Sequence, residues 1–174
     1  LTAAFRPIDY SIQIQILPDT MAGTTSGQGN QYHVTHNVPL VATPKSGYLF
    51  VQWEGDTHHL REGSHPSQGE QVVVMPPGNV NLRALFAVDL TQFFSLLLAA
   101  NPPHAGNAAL GKTEGSFNAG TRVELHAEPQ PGYMFSYWSC DAGGRFDDPY
   151  SSTTYYTMVG DNTLITANFE LERY

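Results

Sequence analysis

Three sets of side chains have types and spacings that chemistry could use. Asp141, Asp147 and Asp148 lie in the stretch CDAGGRFDDPYSS, residues 140–152. Carboxylates on a glycine-containing loop are calcium ligands by type, and extracellular modules bind that ion weakly. Their spacing departs from the D-x-[DN]-x-[DN]-G order of the EF-hand, so they stand as calcium candidates and no metal is assigned. His58, His59 and His65, in GDTHHLREGSHPSQGE (residues 55–70), are donors of the zinc and nickel kind. On an extended chain His58 and His59 point to opposite sides, which argues against convergence on one ion. The third set is aromatic. Trp53 and Trp138 could stack on a sugar or enter a partner, and so could Tyr150, Tyr155 and Tyr156, the aromatics of the second loop region.

Catalytic patterns are missing. No serine sits in a G-x-S-x-G elbow, and no Walker or Rossmann glycine pattern occurs. Cys140 has no evident base partner nearby in sequence. Lys45 and Lys112 are candidates for isopeptide bonds with asparagine, but they do not correspond between the repeats described below. No catalytic residue, no cofactor and no enzymatic activity is therefore expected.

Composition narrows the class. Among 174 residues the charged fraction is 14%, while 16 glycines and 12 prolines accompany 11% aromatics. Short strands joined by turns suit that profile better than long helices. The formal net charge is −8, with Lys45 and Lys112 the only lysines. Nucleic acid and anionic membrane surfaces both call for a basic footprint, which this chain lacks. A single cysteine forms no intrachain disulfide. The longest apolar run, FFSLLLAA at residues 93–100, is far shorter than the roughly 20 residues of a membrane-spanning helix. No signal peptide or lipidation motif is read. A first residue that is Leu1 rather than Met suggests a segment of a longer protein.

The elements that position these residues occur twice. GYLFVQWEGD (47–56) is matched by GYMFSYWSCD (132–141), 85 residues later. Upstream, YHVTHNVPLVATP (32–44) aligns with FNAGTRVELHAEP (117–129) at the same offset. Alternation of Val38, Leu40 and Ala42, and of Val123, Leu125 and Ala127, predicts half-buried strands that end at Pro44 and Pro129. Downstream, MPPGNVNLRALF (75–86) aligns with MVGDNTLITANF (158–169) at an offset of 83, so the second loop is two residues shorter. A turn and an alternating strand are expected in each. LTAAF (1–5) echoes the end of that last strand and reads as the tail of a preceding repeat.

An opening strand completes each repeat: YSIQIQIL (10–17) alternates cleanly, and its counterpart is roughly FFSLLLAA. The latter is apolar on both faces, which predicts burial on both sides or packing against a neighbouring repeat, with helix as the alternative. Residues 1–9 would thus be the last strand of a preceding repeat, 10–88 the first module and 89–174 the second. The junction FAVDLTQFF has almost no linker, which favours a semi-rigid rod.

The strand ending V-x-L-x-A-x-P, the G-Y-x-F-x-x-W-x-G/C-D segment, the variable loop, and the methionine, turn and closing A-x-F together resemble the divergent internalin B-repeat family of bacterial surface and secreted proteins. Both copies carry the pattern nearly end to end, though Cys140 stands where the first copy has Gly55. The resemblance implies an all-β or β-rich chain of two tandem, β-grasp-like modules of about 80 residues each, without conserved catalytic residues. It implies an extracellular spacer, stalk or adhesive segment. Its partners would be neighbouring repeats and a host or matrix protein or glycan, or the modules would be binding appendages of a larger extracellular protein or enzyme. Tyr48, Phe50 and Trp53, with Tyr133, Phe135 and Trp138, are expected to form the core signature. The indole N–H groups should bond to backbone, and Asp56 and Asp141 should cap the turns that follow them.

Overall fold

The computed structural model describes residues 6–63, 65–111 and 115–173. Of the strand expected over residues 1–9, residues 1–5 lie outside them, as does Lys112, and residues 6–9 form no strand. The chain forms two compact units that part between Ala87 and Val88.

The first unit contains β1 (Tyr10–Leu17), β2 (Gly23–Ser26), β3 (Gly29–Tyr32), β4 (Asn37–Pro44), β5 (Tyr48–Gly55), a single 3-10 turn (Thr57–His59), β6 (Glu70–Val74) and β7 (Val80–Val88). The second contains β8 (Phe94–Asn101), β9 (Gly106–Leu110), β10 (Ser116–Phe117), β11 (Arg122–Pro129), β12 (Tyr133–Cys140), β13 (Arg145–Phe146), β14 (Thr153–Thr157) and β15 (Thr163–Leu171). Each unit is β-rich and built from two sheets, of four and three strands in the first unit and of four each in the second, where the smaller sheet is the one with the shorter strands. The larger sheets run β3-β1-β7-β5 and β10-β8-β15-β12, and the smaller ones β2-β4-β6 and β13-β14-β11-β9.

In each larger sheet the first and last strands of the module lie side by side at the centre, in parallel. Ile12 to Leu17 pair with Val80 to Leu85. Leu96 to Asn101 pair likewise with Thr163 to Asn168. Two central parallel strands flanked by antiparallel ones give the β-grasp-like order. A small sheet, rather than a helix, closes the core.

Side-chain period two explains where the core sits. Val38, Leu40 and Ala42 on β4 are buried together with Val80, Leu82, Ala84 and Phe86 on β7. Val123, Leu125 and Ala127 on β11 and Ile165, Ala167 and Phe169 on β15 repeat the arrangement, in one cluster with Trp138, Tyr156 and Met158. The sheets press closely at one point in each unit. A Cβ at Gly23 would overlap the ring of Phe86, and one at Gly106 the ring of Phe169. The Ala22-Gly23 and Ala105-Gly106 pairs are thus a shared feature that the sequence comparison missed.

The apolar run of the second module is a strand, β8. Its inner residue Leu96 is buried, but Leu97 is 63% exposed, so the strand is not buried on both faces.

Candidate functional site

The repeated G-Y-x-F-x-x-W-x-x-D segments form β5 and β12 and the residues just after them. Trp53 and Trp138 are buried to within 2% of their surface. Each ring meets the phenylalanine three residues before it, with centroids 5.7 Å apart for Phe50–Trp53 and 5.4 Å for Phe135–Trp138. Phe50 and Phe135 in turn meet Phe86 and Phe169 edge-on. Tyr48 is buried and Tyr133 partly so. The indole N–H groups donate to backbone carbonyls, Trp53 Nε1 to Gly69 O at 3.3 Å and Trp138 Nε1 to Ser151 O at 2.9 Å. Neither indole is free to stack on a ligand.

A proline also recurs beside each tryptophan. The backbone N–H of Trp53 donates to Pro66 O, and that of Trp138 to Pro149 O, both at 2.7 Å. Pro66 and Pro149 stand the same distance before Met75 and Met158, a signal available in the sequence but hidden by the unequal loops. The length difference therefore lies between the aspartate and the proline. His65 and Asp148, one residue before the prolines, are equivalent. Ser67 N donates to His65 Nδ1 at 3.3 Å, and Tyr150 N to Asp148 Oδ1 at 2.9 Å. Each side chain closes the same turn from the same place.

Asp56 and Asp141 act over a longer range than expected. Neither caps the next turn through its carboxylate. Asn81 N donates to Asp56 Oδ2 at 2.9 Å, and Leu164 N to Asp141 Oδ1 at 2.8 Å. The aspartate backbones return the bond, Asp56 N to Asn81 O and Asp141 N to Leu164 O. Asn79 and Asn162 do similar work at the other side of the closing strand. Their Oδ1 atoms accept from Ser11 N at 2.9 Å and Ser95 N at 2.8 Å.

The calcium candidates are therefore occupied separately. Asp141 holds β15, Asp148 holds the proline turn, and the carboxylate of Asp147 pairs with Arg122. The histidines divide too. His58 and His59 lie on the 3-10 turn rather than on extended chain, with ring centroids 3.9 Å apart, while His65 serves the proline turn. The expected divergence of His58 and His59 fails because a helical turn, not a strand, carries them. Burial lowers the pKa of His59, and the neighbouring His58 lowers it further. Lys45 Nζ donates to Thr20 O at 3.0 Å.

The three tyrosine candidates occupy different environments. Tyr150 is 75% exposed on the loop, Tyr155 is 39% exposed, and Tyr156 is fully buried. Tyr155 and Tyr156 lie on β14 rather than on a loop, and strand alternation sends them to opposite faces. Tyr156 packs on Phe146 with centroids 5.0 Å apart, and its hydroxyl lies so close to Gly144 that any Cβ there would overlap it. Burial pushes its pKa up to about 12. Tyr156 is a core residue, not a ligand contact. Burial likewise raises the pKa of the Cys140 thiol, whose Sγ donates to Ala142 O at 2.8 Å. A thiol held protonated is a poor nucleophile.

Residues common to the two modules thus fasten backbone to backbone. The sequence profile of the divergent InlB B-repeat domain matches residues 14–89 and again 96–173. No curated protein and no solved structure matches the chain significantly. Proteins bearing these repeats are typically bacterial surface proteins, and no helix among the described residues is long and apolar enough to cross a membrane. The tryptophans, aspartates and closing strands that recur with the same partners are those of a duplicated repeat, and the chain belongs to the divergent InlB B-repeat family.

Proposed function

We propose that the two modules are a non-catalytic segment of a bacterial cell-surface or secreted protein, serving as a spacer or adhesive stretch in a longer array. One observation carries this reading. The side chains kept in both copies, Trp53 with Trp138, Asp56 with Asp141 and Asn79 with Asn162, all bond to backbone of their own module. A duplicated catalytic or ligand site would leave shared polar groups facing a common cleft. What the copies share is instead the means of closing a small sandwich, and repetition of such a unit adds length without adding chemistry.

The experiment is a replacement. In the parent protein, antibodies raised against the folded chain should label intact cells without permeabilisation, or detect the chain in culture medium. Exchanging both modules for an unrelated pair of β-repeats of similar length should preserve display if they are spacers, and abolish attachment to host or matrix if they are adhesive. Labelling that appears only after permeabilisation, or turnover of a substrate by the isolated chain, would overturn the proposal.

A further inference from the structure

The open face of the small sheet in the second module carries an ordered polar cluster. Arg122, Glu124 and His126 are alternate residues of β11, and Thr153 and Tyr155 are alternate residues of β14. Register sets Glu124 opposite Tyr155 and His126 opposite Thr153. The Arg122 guanidinium lies over the Tyr155 ring, 4.5 Å from its centroid, and pairs with the Asp147 carboxylate. The Tyr155 hydroxyl donates to Glu124 Oε1 at 3.4 Å. His126 Nε2 lies 3.6 Å from Glu124 Oε2, and its Nδ1 lies 3.1 Å from Thr153 Oγ1. Side chains of Arg122, Asp147, His126 and Glu124 keep 56%, 43%, 38% and 32% of their surface exposed.

The first module has nothing comparable in these places. Asn37, Pro39 and Val41 stand on β4 where Arg122, Glu124 and His126 stand on β11, and Glu70 and Val72 replace Thr153 and Tyr155. The fold therefore does not require the cluster. Stability does not explain it either, because exposed ion pairs contribute little and ordering long side chains costs entropy.

We propose that this face is a binding site for a neutral polysaccharide. Charges of both signs stand side by side, Arg122 paired with Asp147 and Glu124 two residues along the same strand, so an ion of either sign meets a like charge. The unused guanidinium N–H groups and carboxylate lone pairs remain, and hydroxyls that both donate and accept match that mixture. Tyr155 keeps 39% of its surface exposed, so the part of its ring that the Arg122 guanidinium leaves uncovered supplies an apolar patch beside those polar groups. A partly exposed cluster spread over two neighbouring strands suits a polymer lying along them, whereas small molecules take enclosed clefts. Protein partners favour patches with few charges at the centre, and here charges occupy the centre. The inference rests on the surface-repeat reading only for access to such a polymer.

Native gel electrophoresis of the whole chain tests it, in gels cast with a soluble β-glucan, an α-mannan, a galactomannan or, as the anionic control, alginate. At least one neutral polymer should retard the chain. Tyr155→Ala and Glu124→Ala should each weaken that retardation about tenfold or more, while Tyr150→Ala, outside the cluster, should leave it unchanged. Circular dichroism identifies any variant that has unfolded, and the remaining one then decides. Retardation by alginate alone, by none of the polymers, or equally in the folded cluster variants would overturn the proposal. None of these results bears on surface display, which antibody labelling of intact cells tests separately.

Discussion

Asp141 and Leu164 exchange two hydrogen bonds, Asp141 N to Leu164 O at 3.2 Å and Leu164 N to Asp141 Oδ1 at 2.8 Å. Asp56 and Asn81 do the same in the first module, at 3.0 and 2.9 Å. The carboxylate completes the ladder between the signature strand and the closing strand at the point where the former ends. Asp141→Ala leaves the Leu164 amide without that partner, and the loss should be about 1–3 kcal/mol. Urea unfolding of the second module should show it, with Asp141→Asn recovering part because its amide oxygen still accepts. No change for the alanine variant would mean that water substitutes freely for the carboxylate.

Trp53→Ala and Trp138→Ala should each cost about 3–5 kcal/mol in their own module, from lost packing and the cavity left behind. Against the roughly 5–15 kcal/mol of a typical domain, that removes about a third or more of the stability at the lower half of the range and leaves the unit marginal there. Near-ultraviolet circular dichroism and thermal unfolding would report it. A variant that stayed as stable as the parent would remove the tryptophans from the core.

Thr35 has φ 70° where the second module places Gly120, φ 78°. A β-branched residue in the left-handed region is strained by roughly 1–2 kcal/mol, partly offset by the greater unfolded-chain freedom of glycine. Thr35→Gly should therefore stabilise the first module by about 0.5–1 kcal/mol. Chemical denaturation that shows a loss instead would indicate that the threonine side chain has a role of its own.

Tyr156 sets an alkaline limit. Its folded pKa lies near 12 against an ordinary 10.0, because burial disfavours the phenolate. Below pH 10 the phenol is neutral in both states. Between about pH 10 and 12 only the unfolded chain ionises, so stability of the second module should fall as pH rises through that window. Tyr156→Phe should flatten the fall, measured by urea midpoints across the range, and an unchanged slope would assign it to other groups.

Much of this architecture was legible from residue order. Alternation in residues 37–44 and 122–129 located the small-sheet strands, and the recurring aromatics located the core. The carboxylate partners of Asp56 and Asp141 were not legible, because they sit 25 and 23 residues downstream and local turn chemistry offers a nearer alternative. His58 and His59 misled for a related reason, since the turn that carries them leaves no period to read. The split between Tyr155 and Tyr156 follows from period two once β14 is recognised, but the unequal loop preceding it obscured that strand's start. The Arg122–Tyr155 cluster spans two strands and becomes visible only when their register is known.

The central parallel pairs have a mechanical consequence. Tension along the chain enters each module near the start of β1 or β8 and leaves near the end of β7 or β15. In a parallel pair those points lie at opposite ends of the same ladder. Pulling loads the rungs together in shear instead of unzipping them one by one, a geometry fitted to traction.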